Sequence, residues 1–174
     1  MRRSLVNVIV GSPLCPSRGR IALLRHYGLD AQPARIDARC FFGGTDIVLA
    51  PGSILGARCI LDNTSKVVIG RNTVLSPRVM IMTTTHDIGP PARRSGRRRT
   101  APVTVGADCR IGAGTTILCG VEIGDGCVVR SGSLVIKSLP AHGEYAGVPA
   151  LLVRDLRPGP NPSEREAVAV VGHG

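Results

Sequence analysis

The sequence predicts an all-β chain wound as a three-sided solenoid of stacked parallel strands, and three observations carry that reading. The first is a run of six unbroken hexads from Val105 to Pro140 (VGADCR, IGAGTT, ILCGVE, IGDGCV, VRSGSL, VIKSLP), each opening on an aliphatic residue. A helix repeats apolar residues every three to four positions and an ordinary strand every two, so a strict period of six marks short flat faces stacked in coils. The second is the residue four places after each leader. Val105, Ile111, Ile117, Ile123, Val129 and Val135 are followed by Cys109, Thr115, Val121, Cys127, Ser133 and Leu139, most of them small. Three such faces close a narrow prism, with leaders pointing inward and small side chains where the interior tightens. The third is an aromatic content of 2% with no Trp, odd for a sandwich but natural for a core too narrow to hold rings.

Along the chain, Met1-Arg2-Arg3 followed by Leu5 to Val10 imitates a secretion signal. The apolar run is short, Gly11-Ser12-Pro13 breaks it, and no cleavage site follows. Ser17 to Tyr27 predicts a short amphipathic helix with Ile21, Leu24 and Tyr27 on one face, Arg18 and Arg25 off it, and Gly28 as terminator. It is placed to cap the open end of the prism, as solenoid ends require. Ile36 with Cys40, and Phe42 with Asp46, form a degenerate first coil. Leu49, Leu55 and Leu61 lead a clearer triplet, with Ser53, Cys59 and Ser65 expected inward; Ile69, Leu75 and Ile81 lead the next, with Thr73, Val79 and Thr85. Eight residues instead of six separate Leu61 from Ile69, so a two-residue bulge falls near Asp62 to Lys66. Glycine after a leader, as at Gly106, Gly112 and Gly124, lets the backbone bend where a Cβ would obstruct.

The division expected is an N-terminal segment at 1–35, a solenoid domain of about five coils at 36–154 with a long loop at 86–104, and a short flexible tail at 155–174. Arg157 to Pro162 reads as a linker, and Ser163-Glu164-Arg165-Glu166 as a capping box before a short helix from Ala167 to Val171. No stretch approaches membrane-spanning length, so the chain is read as soluble.

The net charge of +10 rests on twenty arginines against Lys66 and Lys137. Such a charge suggests nucleic acid, but the chain offers no aromatic platform for bases and no recognisable nucleic-acid module. Of the six cysteines, Cys40, Cys59, Cys109 and Cys127 occupy inward slots and none belongs to a C-x-x-C pair, so they read as core and not as a metal site. Cys109 and Cys127 are 18 residues apart and should stack on adjacent coils; a bond between them is conceivable, and reduced thiols fit a cytoplasmic protein. Cys119 falls outside these slots and Cys15 precedes the solenoid.

The long break between Thr85 and Val105, HDIGPPARRSGRRRTAPVT, is where chemistry is expected, since loops of this length in a compact domain are usually functional. His86 opens it at the end of a coil face, Asp87 is its only acid, and Arg93, Arg94, Arg97, Arg98 and Arg99 crowd its tip. The arginines suit either an anionic acceptor or a solvated tip. Asp87 suits orienting either a ligand or the loop; adjacent on a strand, it should point away from His86. Asp62 and Asn63 at the bulge lie near the His86 face and suit either an acceptor site or a plain turn.

Taken together, VVIGRNTVLSPRVMIMTTTHD, the loop, APVTVGADCRIGAGTTILCGVEIGDGCVVRSGSLVIKSLP and AGVPALLVR, in that order, resemble the hexapeptide-repeat acyltransferases of left-handed parallel β-helix fold, such as the maltose, galactoside and nodulation-factor O-acetyltransferases. The resemblance covers residues 36 to 154. It implies a left-handed coil, a cytoplasmic homotrimer with sites between subunits, acetyl-CoA as donor, no metal, and a saccharide or other small-molecule acceptor. By it His86 matches the catalytic histidine, a general base for which neutral imidazole is suited near pH 7. Ala113 and Ser131 match places where the pantetheine arm lies along the coils, Ile136 and Lys137 the pair near the end of CoA, and Arg154, after Gly147-Val148-Pro149, a basic contact for nucleotide phosphates. Sugar acetyltransferases of the family often carry an aromatic residue at the place of Arg110 and an asparagine near the place of Gly56; both are missing here, which argues against maltose or galactoside as acceptor and leaves Arg110 as a candidate acceptor contact. O-acetylation of a sugar hydroxyl leads; N-acetylation of an amino sugar and a noncatalytic scaffold are the alternatives. A metal-dependent relative of the fold would need converging histidines, whereas His26, His86, His142 and His173 are scattered.

Overall fold

The computed structural model describes residues 2–157, with side chains of the first helix described from Asn7 onward. Apart from Arg157, the expected linker lies outside the described residues, as do the capping box at Ser163 to Glu166 and the helix from Ala167 to Val171. Two helices open the chain, α1 (Arg2–Gly11) and α2 (Ser17–His26). The first coil is β1 (Asp30–Ala31), β2 (Arg35–Ile36) and β3 (Phe41–Phe42), and the second β4 (Ile47–Leu49), β5 (Ile54–Leu55) and β6 (Ile60–Asp62). The third is β7 (Val67–Ile69), β8 (Val74–Leu75) and β9 (Met80–Met82), from which an antiparallel hairpin of β10 (Thr84–Ile88) and β11 (Ser95–Thr100) projects. Coils four and five are β12 (Val103–Val105), β13 (Arg110–Ile111), β14 (Thr116–Ile117), then β15 (Glu122–Ile123), β16 (Val128–Val129), β17 (Leu134–Val135), and a final hairpin pairs β18 (Gly143–Ala146) with β19 (Leu151–Asp155).

Strands of successive coils pair in parallel to make three sheets. The first runs β1-β4-β7-β12-β15, the second β2-β5-β8-β13-β16-β18-β19, and the third β3-β6-β9-β14-β17. Leaders stack in register, Leu55 on Leu75, Leu75 on Ile111 and Ile111 on Val129, all but fully buried. Each buried Leu or Ile contributes roughly 1.5–3 kcal/mol of apolar transfer, so the period of six is energetically as well as geometrically the basis of the fold.

All chain insertions fall at one edge of the prism, between the third sheet and the first. Phe42 to Leu49, Leu61 to Ile69 and Ile81 to Val105 are the three steps longer than six, whereas every leader-to-leader step from the second sheet to the third is six. This displaces three expected inward residues. Asp46, Ser65 and Thr85 do not face the core; Ile47, Val67 and Thr83 are buried instead. The inward slot is fixed two residues before the next leader, as at Ile47/Leu49, Val67/Ile69 and Val103/Val105. Extra residues enter ahead of that slot, and at Thr85 the chain has already left the coil for the hairpin.

The run Leu5 to Val10 is not an isolated apolar stretch but the body of α1, which brings Val10 into the core. Helix α2 buries Ile21 and Leu24 and ends at Tyr27 before Gly28, whose φ of 90° suits glycine. Between the helices Arg20, 5% exposed, donates to the carbonyls of Val10 (2.9 Å), Ser12 (2.8 Å) and Ile36 (3.1 Å). Its cation thus neutralises the carbonyl end of α1 and rivets the helical cap to β2.

Two backbone positions explain the glycines. Immediately after a leader, a Cβ on Gly112 would lie 2.3 Å from Ser131 N, and one on Gly124 2.6 Å from Ala141 N. The obstruction expected from sequence is therefore the backbone of the next coil, and close approach, not a bend, excludes a side chain. Three residues after a leader the chain turns the corner with positive φ. On the edge between the first and second sheets this position holds Gly52, Asn72, Asp108, Gly126 and His142, the types that tolerate it. On the edge between the second and third it holds Arg39 (φ 64°), Arg58 (62°), Arg78 (62°), Gly114 and Gly132. A side chain with a Cβ costs roughly 1 kcal/mol there, so three arginines on one edge oppose local preference.

Candidate functional site

The expected loop is a hairpin that leaves from the insertion edge, because Thr84 and Thr85 continue past the coil as strand and pair with Thr100 and Arg99. His86 lies on this hairpin, paired with Arg98, and not on the coil itself; its side chain is exposed. Strand alternation puts Asp87 on the opposite face, in ion pairs with Arg99 and with Arg97 (3.7 Å). Two of the five loop arginines therefore brace the hairpin. Arg98 reaches back, donating to Thr64 Oγ1 (3.2 Å) and Thr84 Oγ1 (3.4 Å).

Those contacts stack the hairpin base on the Asp62 bulge. The Thr64 hydroxyl donates to Asp62 Oδ1 (2.8 Å), and the Thr83 hydroxyl to the Asp62 carbonyl. Asn63 is buried, its Oδ1 accepting from Gly44 N (2.8 Å), so it clamps one bulge to the one below; its Nδ2 has no partner among the described residues. Asp62 and His86 thus share one edge of the prism, while Asn63 is turned into the packing beneath.

The residues matched to the donor site lie mainly on a different edge. Ala113 and Ser131 occupy successive coils at the corner between the second and third sheets, where Gly132 N donates to the Ala113 carbonyl (2.8 Å). Arg110 and Arg154 join Ser131 around one open groove on the second sheet. Ile136 and Lys137 stand at the other end of β17, toward the His86 edge, and are exposed. One protomer does not bring the two groups together.

Glu144, which no sequence motif marked, organises this groove. Its carboxylate, about one-tenth exposed, accepts from Arg130 Nε (2.9 Å) and pairs with Arg154 (3.0 Å). The Arg130 hydrogen bond, with Arg154 adding charge, lowers the Glu144 pKa. Since the folded value lies below the unfolded one, its stabilisation is present above the ordinary glutamate pKa of about 4.3 and is lost as pH falls through the folded value. Glu144→Gln is expected to remove part of this acid sensitivity; thermal melts of both proteins across the acid range check it, with the curves converging at the lowest pH.

Cys40 stacks on Cys59 and Cys109 on Cys127 as buried free thiols. Donating a hydrogen bond to the neighbouring thiol, reinforced by burial, pushes Cys59 and Cys109 up, which makes these two inert core groups. Cys15 and Cys119 are half-buried. Among the described residues no three His, Cys, Asp or Glu side chains converge on a point where a metal would sit.

Known proteins give this arrangement a context. Residues 102–137 match the model of the bacterial transferase hexapeptide, six repeats. Galactoside O-acetyltransferase of Escherichia coli is 36% identical over 90 residues, 52% of this chain and 44% of that one. The chain spans about half the length of the curated relatives it matches. Among solved structures, maltose O-acetyltransferase of Clostridium difficile superposes with a TM-score of 0.78 at 26% identity, covering 89% of this chain and 84% of that one. A hexapeptide-repeat acetyltransferase of Vibrio cholerae shares the fold with a TM-score of 0.83 at 20% identity, covering 90% of each. With its uninterrupted hexads and three parallel sheets, the chain shares the fold of the hexapeptide-repeat acetyltransferases and carries the bacterial transferase hexapeptide over residues 102–137.

Proposed function

We propose that the protein is a CoA-dependent O-acetyltransferase acting on a sugar hydroxyl, with His86 as general base and its sites formed between the subunits of a homotrimer. The observation that carries this is the placement of the two half-sites. His86 and Lys137 lie toward one edge of the third sheet, Ala113 and Ser131 at the other. The outer face between them is apolar: Phe41, Ile60, Met80, Thr116 and Leu134 stack in register along it, with Phe41 48% and Ile60 39% exposed. A contiguous apolar sheet face asks for a partner. Packing it around a three-fold axis sets the His86 edge of one copy against the donor edge of the next and makes three equal sites.

In that site the neutral imidazole takes the acceptor's hydroxyl proton as its oxygen attacks the thioester carbonyl. The C–S bond then breaks, and the imidazolium returns the proton to the departing thiolate. Ala113 and Ser131 hold the pantetheine arm against the coil edge, and Lys137 and Arg154 meet the nucleotide phosphates; Asp62 and Arg110 flank the two ends of the site. The stacked reduced thiols suit a reducing cytoplasm.

Thiol release from acetyl-CoA across a panel of sugars, amino sugars and phosphorylated sugars tests the reading. Turnover is expected with a sugar hydroxyl; preference for an amino sugar would make it an N-acetyltransferase, and absence of acetyl-CoA binding by calorimetry would make it a scaffold. Ile60→Glu, which places a charge on the apolar face without touching the core, is expected to turn a trimer into monomers by light scattering and to abolish turnover. A trimer of unchanged stability would place the interface elsewhere.

A further inference from the structure

We infer that Arg39, Arg58 and Arg78 form a phosphate-binding ladder that holds an anionic acceptor, one carrying a phosphate or pyrophosphate group, beside the thioester end of the donor slot. Among the described residues these are the three arginines whose backbone has positive φ. Their amides hydrogen bond along one edge, Arg39 N to Gly11 O at the end of α1 (2.9 Å), then from coil to coil, Arg58 N to Ala38 O (3.0 Å) and Arg78 N to Ala57 O (3.0 Å). The line continues with Gly114 N to Pro77 O (3.0 Å) and Gly132 N to Ala113 O (2.8 Å). The arginines are thus collinear with Ala113 and Ser131.

Composition at this corner argues for a ligand. The corresponding position on the neighbouring edge holds only Gly, Asn, Asp and His, and the two upper coils on this edge revert to glycine. Arginine is kept in three consecutive lower coils against backbone preference, and departures of this kind cluster at functional sites. All three side chains are exposed, and none meets a carboxylate among the described residues. Several other arginines, by contrast, have assigned work: Arg20 on carbonyls, Arg97 and Arg99 on Asp87, Arg130 and Arg154 on Glu144.

The geometry fits a phosphate group. Arg39, Arg58 and Arg78 line one open groove with Ala38, Ala57 and Ala113, small side chains that leave the guanidinium forks unobstructed. Adjacent coils are about 4.8 Å apart, so neighbouring guanidiniums can grip one phosphate from two sides with charge-assisted hydrogen bonds, and three span roughly 10 Å, room for a pyrophosphate.

Direction follows from the proposed function, on which this inference rests. With the nucleotide end at Arg154 and Lys137, the pantetheine descends past Ser131 and then Ala113, and the thioester points toward the third coil. The next groups along the same groove are Arg78 and Arg58, where the acceptor must lie.

The test uses inorganic pyrophosphate titrated by calorimetry into the full chain saturated with CoA. One pyrophosphate is expected per protomer, with affinity falling more than 10-fold in Arg58→Gly/Arg78→Gly and in Arg58→Asn/Arg78→Asn, while CoA affinity stays within 2-fold. Both doubles are expected to melt no lower than the parent, because the new residues accept positive φ. In turnover, glucose 1-phosphate is expected to have a KM at least 10-fold below that of glucose, an advantage the variants lose. Unchanged pyrophosphate affinity in both doubles overturns the inference. So does CoA affinity falling in step with pyrophosphate affinity, which would assign the ladder to the donor's own phosphates. If the parent binds no CoA but binds pyrophosphate in a manner lost in the doubles, the ladder stands and the acyltransferase reading falls.

Discussion

Replacing His86 with alanine is expected to lower turnover about 10³-fold, within the range that loss of a positioned general base produces, while leaving the fold intact. Acetyl-CoA affinity should change little, because the groups matched to the donor lie on other coils. The melting temperature should hold as well: His86 is exposed and its side chain makes no hydrogen bond among the described residues. Steady-state thiol release, calorimetry with acetyl-CoA and a thermal melt separate these effects. Full turnover in the variant on a good acceptor would remove His86 from the mechanism. A parallel loss of affinity and melting temperature would instead make it a structural residue of the hairpin. Asp87→Asn is the useful comparison, since it breaks exposed ion pairs to Arg97 and Arg99 worth at most about 1 kcal/mol. It should loosen the hairpin and raise the acceptor KM without approaching the loss at His86.

The second large effect is expected at Gly112→Ala, which should cost about 3 kcal/mol, the upper part of the range for forcing atoms into a packed interior. The new Cβ would sit 2.3 Å from Ser131 N and 2.6 Å from Arg130 C, backbone atoms that cannot swing aside. Coils four and five would have to separate at the corner where Ala113 and Ser131 stack, so a raised KM for acetyl-CoA should accompany the lost stability. Gly114→Ala, two residues along, is the control. Its Cβ would meet nothing within 4 Å, and only the φ of 69° opposes it, a cost of roughly 1 kcal/mol. Urea denaturation of the two variants distinguishes close approach from backbone conformation as the reason for each glycine. Equal destabilisation would refute that distinction.

The fold was legible because it is written in one dimension. Inward leaders recur every six residues, each coil buries its face only against its neighbours, and register follows from repetition without any long-range decision. Where the period broke, legibility fell in proportion. The step from Leu61 to Ile69 announced a bulge, but not that the inward slot would pass from Ser65 to Val67, because the slot is tied to the following leader. The step from Ile81 to Val105 announced an excursion from the coil, but not its hairpin, since strand pairing between Thr84–Ile88 and Ser95–Thr100 is a choice made by cross-strand partners with no core face to dictate it. The run before Gly11 showed no period long enough to declare a helix, and α1 is held by what Val10 and Arg20 meet in the tertiary structure.

By itself, then, the amino-acid order determined the three-sided coil, the inward cysteines, the capping helix that begins at Ser17 and the position at which the chain leaves the coil, because each depends on neighbours at fixed separations along the chain. Only the tertiary structure decided which edge each residue occupies. It put every insertion on one edge, Ala113, Ser131 and the three positive-φ arginines on another, and an apolar face between them. The physical reason is that a prism has three sides and a hexad names none of them. The side a residue reaches depends on the summed lengths of all preceding corners, and whether a corner turns through glycine or through a strained arginine shows only when the coils lie on top of one another.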